Sequence, residues 1–141
     1  MQSKRTASGM PLVRISALAS FTDDELTEIC DGVFEAVVDV LDKPGDMRFV
    51  SIDTFDPDRL RFHRSYMGLP DVDHGVFVHV TLSHGRTASQ KRRLYEVIGE
   101  NVRRAVKIKP RELQILIAEA AALSWSFGDG TVRYVSARST I

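Results

Sequence analysis

At 141 residues the chain has the length of one compact domain with a single sizeable core. Its 19 basic residues balance 19 acidic ones, and the formal charge of zero gives no electrostatic reason to expect a nucleic-acid or membrane-surface partner. Cys30 is the only cysteine, which excludes an internal disulfide and a multi-cysteine metal site and fits a reducing, cytoplasmic compartment.

The polar stretch from Met1 to Gly9 has two basic residues but no apolar region behind it, so it does not read as a secretory signal. Residues 1–10 are expected to form an extension and residues 11–141 the domain. Leu12 to Leu18 reads as a strand, with Val13, Ile15 and Ala17 on one side. Thr22-Asp23-Asp24-Glu25 is a capping box. Behind it Leu26, Ile29, Cys30, Val33, Phe34, Val37, Val38 and Leu41 make one apolar helix face, ended by Lys43-Pro44-Gly45. Arg48 to Phe55 reads as a second strand.

The second half repeats this order. Val76, Val78, Val80 and Leu82 alternate as a strand, and Thr87-Ala88-Ser89-Gln90 is again a capping box. Leu94, Val97, Ile98, Val102, Ala105 and Val106 follow at helical spacing, and Leu113, Ile115 and Ile117 form a last strand. Adding 65 to Thr22 gives Thr87, and adding 66 to Lys43, Pro44, Asp46 and Asp53 gives Lys109, Pro110, Glu112 and Glu119. This is a duplicated βαβ unit. Each unit pairs its strands in parallel across a crossover helix. The fold class is α/β: a four-stranded mixed sheet with both helices on one face. The open face is expected to be apolar, so oligomerisation follows. Asp56 to Gly75 is a long connection of the kind that is functional or mobile.

Asp71, Asp73 and His74 superficially resemble metal ligands, but no further ligands stand at a recognised spacing, and no metal is expected. His63 and His79 point to nothing specific. Lys91-Arg92-Arg93 and Arg103-Arg104 fall on the polar face of the second helix and read as solvated.

Three segments carry a resemblance: Met10-Pro11-Leu12-Val13, then Gly85-Arg86-Thr87-Ala88-Ser89-Gln90-Lys91, and then Trp125-Ser126-Phe127-Gly128-Asp129-Gly130. Together they resemble the tautomerase superfamily, specifically its malonate semialdehyde decarboxylase-like branch. The resemblance spans nearly all of the chain beyond Gly9. It implies a cofactor-free enzyme assembled as a trimer, working through an amino-terminal proline. A terminal amine titrates at about 7.7–8.0 by reference, so a neutral proline can act as general base and a cationic one as general acid.

On this resemblance Pro11 is the catalytic residue. Within the chain as written, Met10 acylates its nitrogen, and the role requires a chain that begins at Pro11. Arg86 matches a site arginine whose planar fork grips a substrate carboxylate. His84 stands where the decarboxylase has its other arginine, a departure that argues against decarboxylation. The family's aspartate falls on Met47, with Asp46 just before it; either Asp46 takes the role through a small shift at the start of the strand or the role is missing, a second departure that argues against decarboxylation. Trp125 and Phe127 would wall the site against water, Gly128 and Gly130 would allow a tight turn, and Tyr134 and Val135 would add a strand to a neighbour in the oligomer.

The leading expectation is a tautomerase for a small 2-oxo or enol acid such as phenylpyruvate, with Pro11 moving the proton and Arg86, helped by His84, holding the carboxylate. The alternatives are a decarboxylase or hydratase of 3-oxo acids and, where Pro11 stays acylated, a non-catalytic oligomeric binding protein.

Overall fold

The computed structural model describes residues 11–41, 49–62, 74–126 and 130. In chain order these form β1 (Leu12–Leu18), α1 (Asp23–Leu41), β2 (Val50–Phe55), β3 (Val76–Ser83), α2 (Ala88–Ala105) and β4 (Leu113–Ala120), with 3₁₀ turns at Pro110–Glu112 and Ala122–Ser124. Both helices begin at the expected capping boxes. Thr22 and Glu25 exchange hydrogen bonds of 2.8 and 3.1 Å, and Thr87 and Gln90 exchange bonds of 2.9 and 3.0 Å. These satisfy amide donors that a helix start leaves without carbonyl partners.

The sheet runs β2-β1-β3-β4. β1 pairs in parallel with β2, β3 in parallel with β4, and β1 with β3 antiparallel at the centre. This is the mixed sheet expected of two βαβ units joined side by side. Val13, Ile15 and Ala17 of β1 and Val76, Val78, Val80 and Leu82 of β3 are buried against both helices. The facing helix residues are equivalent in the two units: Ile29, Val33, Val37 and Leu41 in α1 match Leu94, Ile98 and Val102 in α2 and Val106 at its C-cap, at a constant step of 65. Fully burying one such aliphatic side chain contributes about 1.5–3 kcal/mol relative to leaving it exposed, so these two facing rows carry much of the fold.

Three expectations need correction. The step of 65 also governs the strands, because Ala17 pairs with Thr54 and Leu82 with Glu119. The structural counterpart of Glu119 is therefore Thr54, not Asp53; in strands a shift of one residue exchanges the two faces. The second strand begins at Val50. The open face of the sheet is mixed rather than apolar. Exposed Leu12, Phe77 and Leu116 share it with Arg14 opposite His79 and with Ser16, Ser51 and Asp53. The expected helix stop at Lys43-Pro44-Gly45 lies outside the described residues.

Candidate active site

The order of the strands brings the start of β1 and the ends of β3 and β4 to one end of the sheet. Pro11 immediately precedes β1 and is buried. In the antiparallel register Leu12, the residue after Pro11, lies opposite Thr81, the residue before Leu82. Leu82 in turn pairs with Glu119. Pro11 therefore adjoins the end of the sheet at which Leu82 and Glu119 lie on the helix-packed side of their strands.

Beyond Leu82 the chain leaves the sheet through Ser83 and turns at Gly85, whose φ of +107° is a conformation that side-chain-bearing residues rarely adopt. The turn delivers His84 and Arg86 just ahead of Thr87, the N-cap of α2. The amide of His84 donates to the Ala120 carbonyl at 3.3 Å, which ties the turn to the end of β4.

Glu119 is the centre of a polar cluster here. One carboxylate oxygen accepts from the Arg86 amide at 3.3 Å and lies 3.4 Å from Lys91 Nζ; the other lies 3.6 Å from His84 Nδ1. The His84 side chain is 77% exposed, whereas those of Lys91 and Glu119 are 35% and 22% exposed. Partial burial, the largest single influence on the Glu119 carboxyl, pushes its pKa up. Hydrogen bonds from Lys91 and the Arg86 amide, with the charges of Lys91 and His84, together outweigh it and hold the group below its ordinary value of 4.5. An anion is also favoured beside the N-terminus of α2, where an arginine alone is mildly disfavoured.

Arg86 is half-buried, and its Nε is a buried donor without a hydrogen-bond partner among the described residues. A buried donor left unpaired costs about 1–3 kcal/mol. Trp125 closes the same end of the sheet from beyond β4. It is half-buried, and its Nε1 donates to the Ala120 carbonyl at 3.3 Å. Pro11, His84, Arg86 and Trp125 thus belong to one end of the sheet. Asp46 and Phe127 lie outside the described residues, as do Met47, Gly128 and the expected C-terminal strand at Tyr134 and Val135. Gly130, at φ +79°, has the turn conformation anticipated for it.

The first unit provides an internal comparison. The Ala19 amide donates to the Phe55 carbonyl at 2.9 Å, the counterpart of the bond from His84 to Ala120. At the step of 65, however, His84, Arg86, Lys91 and Glu119 are matched by Ala19, Phe21, Leu26 and Thr54. Phe21 is buried and meets the His74 ring edge-on at 5.5 Å. The same backbone corner is closed by apolar side chains in one unit and carries charge in the other, so the fold itself does not require the charged cluster.

Sequence patterning missed Glu119 and Lys91. Lys91 departs from the solvated face expected of it, and the signal was available: it takes the place of Leu26 on the apolar side of its helix. His74, once grouped with Asp71 and Asp73, instead donates its amide to buried Glu112 at 3.1 Å. No group of three metal-binding side chains occurs among the described residues. An open groove of about 460 Å³ lies between the helices, bordered by Glu28, Asp31, Glu35 and Arg104. It is near the far end of α2, roughly 20 Å along the helix from Arg86.

A family model described as a tautomerase enzyme, Tautomerase_2, matches residues 47–128, more than half of the chain. The Bacillus subtilis (strain 168) protein named probable tautomerase YusQ is 22% identical over 126 residues, covering 89% of this chain and 99% of that protein. The FG41 malonate semialdehyde decarboxylase, solved as inhibited by 3-bromopropiolate, superposes with a TM-score of 0.80 at 29% identity, over 92% of this chain and 98% of the other. A fused 4-OT, solved as a symmetric trimer, shares the fold at a TM-score of 0.70 and 15% identity, over 91% of this chain and 97% of the other. With its duplicated βαβ sheet and this family match, the chain belongs to the Tautomerase_2 family of tautomerase enzymes.

Proposed function

We propose that the protein is a cofactor-independent tautomerase that interconverts enol and keto forms of a small 2-oxo acid such as phenylpyruvate. The observation that carries this reading is that the strand order brings the segments of Pro11 and Arg86 to one end of the sheet, where Arg86 Nε has no hydrogen-bond partner among the described residues. The mature domain would comprise residues 11–141, with residues 1–10 removed so that Pro11 becomes a free secondary amine. In its neutral form this amine takes the enol hydroxyl proton and delivers a proton to the neighbouring carbon. Arg86 pairs with the substrate carboxylate and stabilises the enolate charge that develops between the two proton transfers. His84 donates to the substrate carbonyl from the turn, and Trp125 and Phe127 exclude water. Asp46 is the candidate carboxylate for orienting the substrate or balancing the charge on the proline. Assembly as a homotrimer is supported by the fused 4-OT trimer that shares the fold.

A second reading, decarboxylation or hydration of a 3-oxo acid, is favoured by the likeness to malonate semialdehyde decarboxylase. There a cationic Pro11 and Arg86 would stabilise the enolate left when carbon dioxide departs. Met47 and His84, which replace an aspartate and an arginine of that branch, favour tautomerisation.

The test is phenylpyruvate ketonisation by the 1–141 chain, by a chain beginning at Pro11, and by Pro11→Ala and Arg86→Ala forms of the latter. Turnover is expected only with a free Pro11, is lost with Pro11→Ala and falls about 10–100-fold with Arg86→Ala. Equal rates for all four would sink the catalytic assignment, and malonate semialdehyde as substrate separates the second reading from the first.

A further inference from the structure

The charged corner holds more than the arginine that the proposed function assigns to the substrate carboxylate. Arg86, Lys91 and His84 are three cationic or potentially cationic groups, and, of the described residues, one anion, Glu119, lies among them. Glu119 does not serve them equally. Its oxygens lie 3.4 Å from Lys91 Nζ and 3.6 Å from His84 Nδ1, while its bond to Arg86 is made to the backbone amide. The Arg86 side chain keeps a buried Nε without a partner among the described residues. In the first unit the equivalent of Glu119 is Thr54 and the equivalent of Lys91 is Leu26, so the anion and its lysine occur together in one unit and are absent together from the other.

We propose that Glu119 determines the charge class of the ligand: by pairing with Lys91 and His84 it leaves Arg86 to receive one carboxylate, so the site selects small 2-oxo monocarboxylates and rejects dicarboxylates. The inference rests on the reading of Arg86 as the carboxylate holder. A second carboxylate reaching toward Lys91 or His84 would meet Glu119 and its like charge, and repulsion of this kind discriminates between ligands as effectively as a new attractive contact. Removal of the Glu119 charge should turn Lys91 and His84 into a second anion position. Glu119→Gln retains an oxygen that can accept from the Arg86 amide, so the turn keeps its support.

The probes are 2-oxopentanoate and 2-oxoglutarate, which have the same five-carbon chain and differ by one terminal carboxylate. Binding of each to the full chain is measured by calorimetry for the unmodified protein, Glu119→Gln, Glu119→Gln with Lys91→Gln, and Arg86→Ala. Glu119→Thr, which copies the first unit, serves where Glu119→Gln folds poorly. The unmodified protein should bind 2-oxopentanoate more tightly than 2-oxoglutarate. Glu119→Gln should tighten 2-oxoglutarate about fivefold, the upper range for a partly exposed ion pair, and change 2-oxopentanoate less than twofold. Adding Lys91→Gln should cancel the gain. An unmodified protein that binds 2-oxoglutarate at least as tightly, or a Glu119→Gln gain that is absent or equal for both acids, overturns the proposal. Where Arg86→Ala still abolishes binding, that failure belongs to Glu119 alone; where Arg86→Ala binds both acids normally, the carboxylate reading of the corner fails with it.

Discussion

Asn101 of α2 donates through Nδ2 to the backbone carbonyl of Gly32 in α1 at 2.9 Å, and a Cβ added to Gly32 would lie 3.2 Å from Asn101 Cβ. The two helices therefore approach closely at a point where one has no side chain and the other has a polar one. Arg104 Nη2 donates to Asn101 Oδ1 at 3.1 Å, which satisfies the amide on its other side. In the first unit the equivalent of Asn101 is Ala36, so this interhelical bond has no mirrored copy.

Gly32→Ala should destabilise the protein despite the helix propensity that it gains. That gain is about 1 kcal/mol, whereas crowding in a packed interface typically costs about 1–3 kcal/mol. Asn101→Ala should cost about 1 kcal/mol through the lost hydrogen bond. Urea unfolding of both variants checks the two values. A stabilised Gly32→Ala would show that the helices separate freely.

Gly85→Ala isolates the backbone of the active-site turn. A Cβ at this position meets nothing within 4 Å, so any effect comes from the φ of +107°. Strain of about 1–3 kcal/mol is expected, read as a lower Tm. Displacement of Arg86 should also lower kcat/KM on phenylpyruvate in the chain that begins at Pro11, by more than the stability loss alone explains.

Arg86→Lys preserves charge but removes the planar fork and its Nε donor. In the same Pro11-terminated chain it should lower kcat/KM about tenfold. Arg86→Ala should lower it by about 10–100-fold, the range of a charge-assisted hydrogen bond. Steady-state kinetics on phenylpyruvate distinguishes the two, and equal effects would mean that charge contributes nothing beyond the fork.

Glu119 gives the protein a defined acid sensitivity. Its carboxyl titrates lower in the folded chain than its ordinary value of 4.5, so on acidification the unfolded chain takes up the proton first. The stability it contributes is fully present above that ordinary value and is lost as the pH falls through the lower folded value. The Tm difference between the unmodified protein and Glu119→Gln should therefore shrink as the pH falls below about 5. A difference that grows in acid would contradict the assignment.

The sequence was most informative where a period imposed a face. Val13, Ile15 and Ala17, the two capping boxes and the facing helix rows all lie where alternation or helical spacing put them, because burial of one face leaves few other arrangements. Pro11, His84, Arg86 and Trp125 were legible as motif residues but not as neighbours, since only the strand order β2-β1-β3-β4 brings their segments to one end. Glu119 was hidden for a different reason. A step of 66 aligned it with Asp53, an acidic residue that looked equivalent but faces the other side of the sheet. Lys91 was hidden in a run of basic residues, Lys91-Arg92-Arg93, that looks uniformly solvated until its register against Leu26 is known. The mixed character of the open sheet face escaped as well, because the strand pattern identifies the buried side more firmly than it specifies its reverse.

The closed corner formed by Phe21 against His74 has a stoichiometric consequence. A chain built from two like halves could in principle bind two ligands, yet only one half carries charge at this position, so each chain should saturate with one acid. Because the backbone hydrogen bonds of the two corners correspond, the silent half is a ready scaffold. Ala19→His, Phe21→Arg, Leu26→Lys and Thr54→Glu together would inscribe the charged cluster a second time, without a change in the path of the chain.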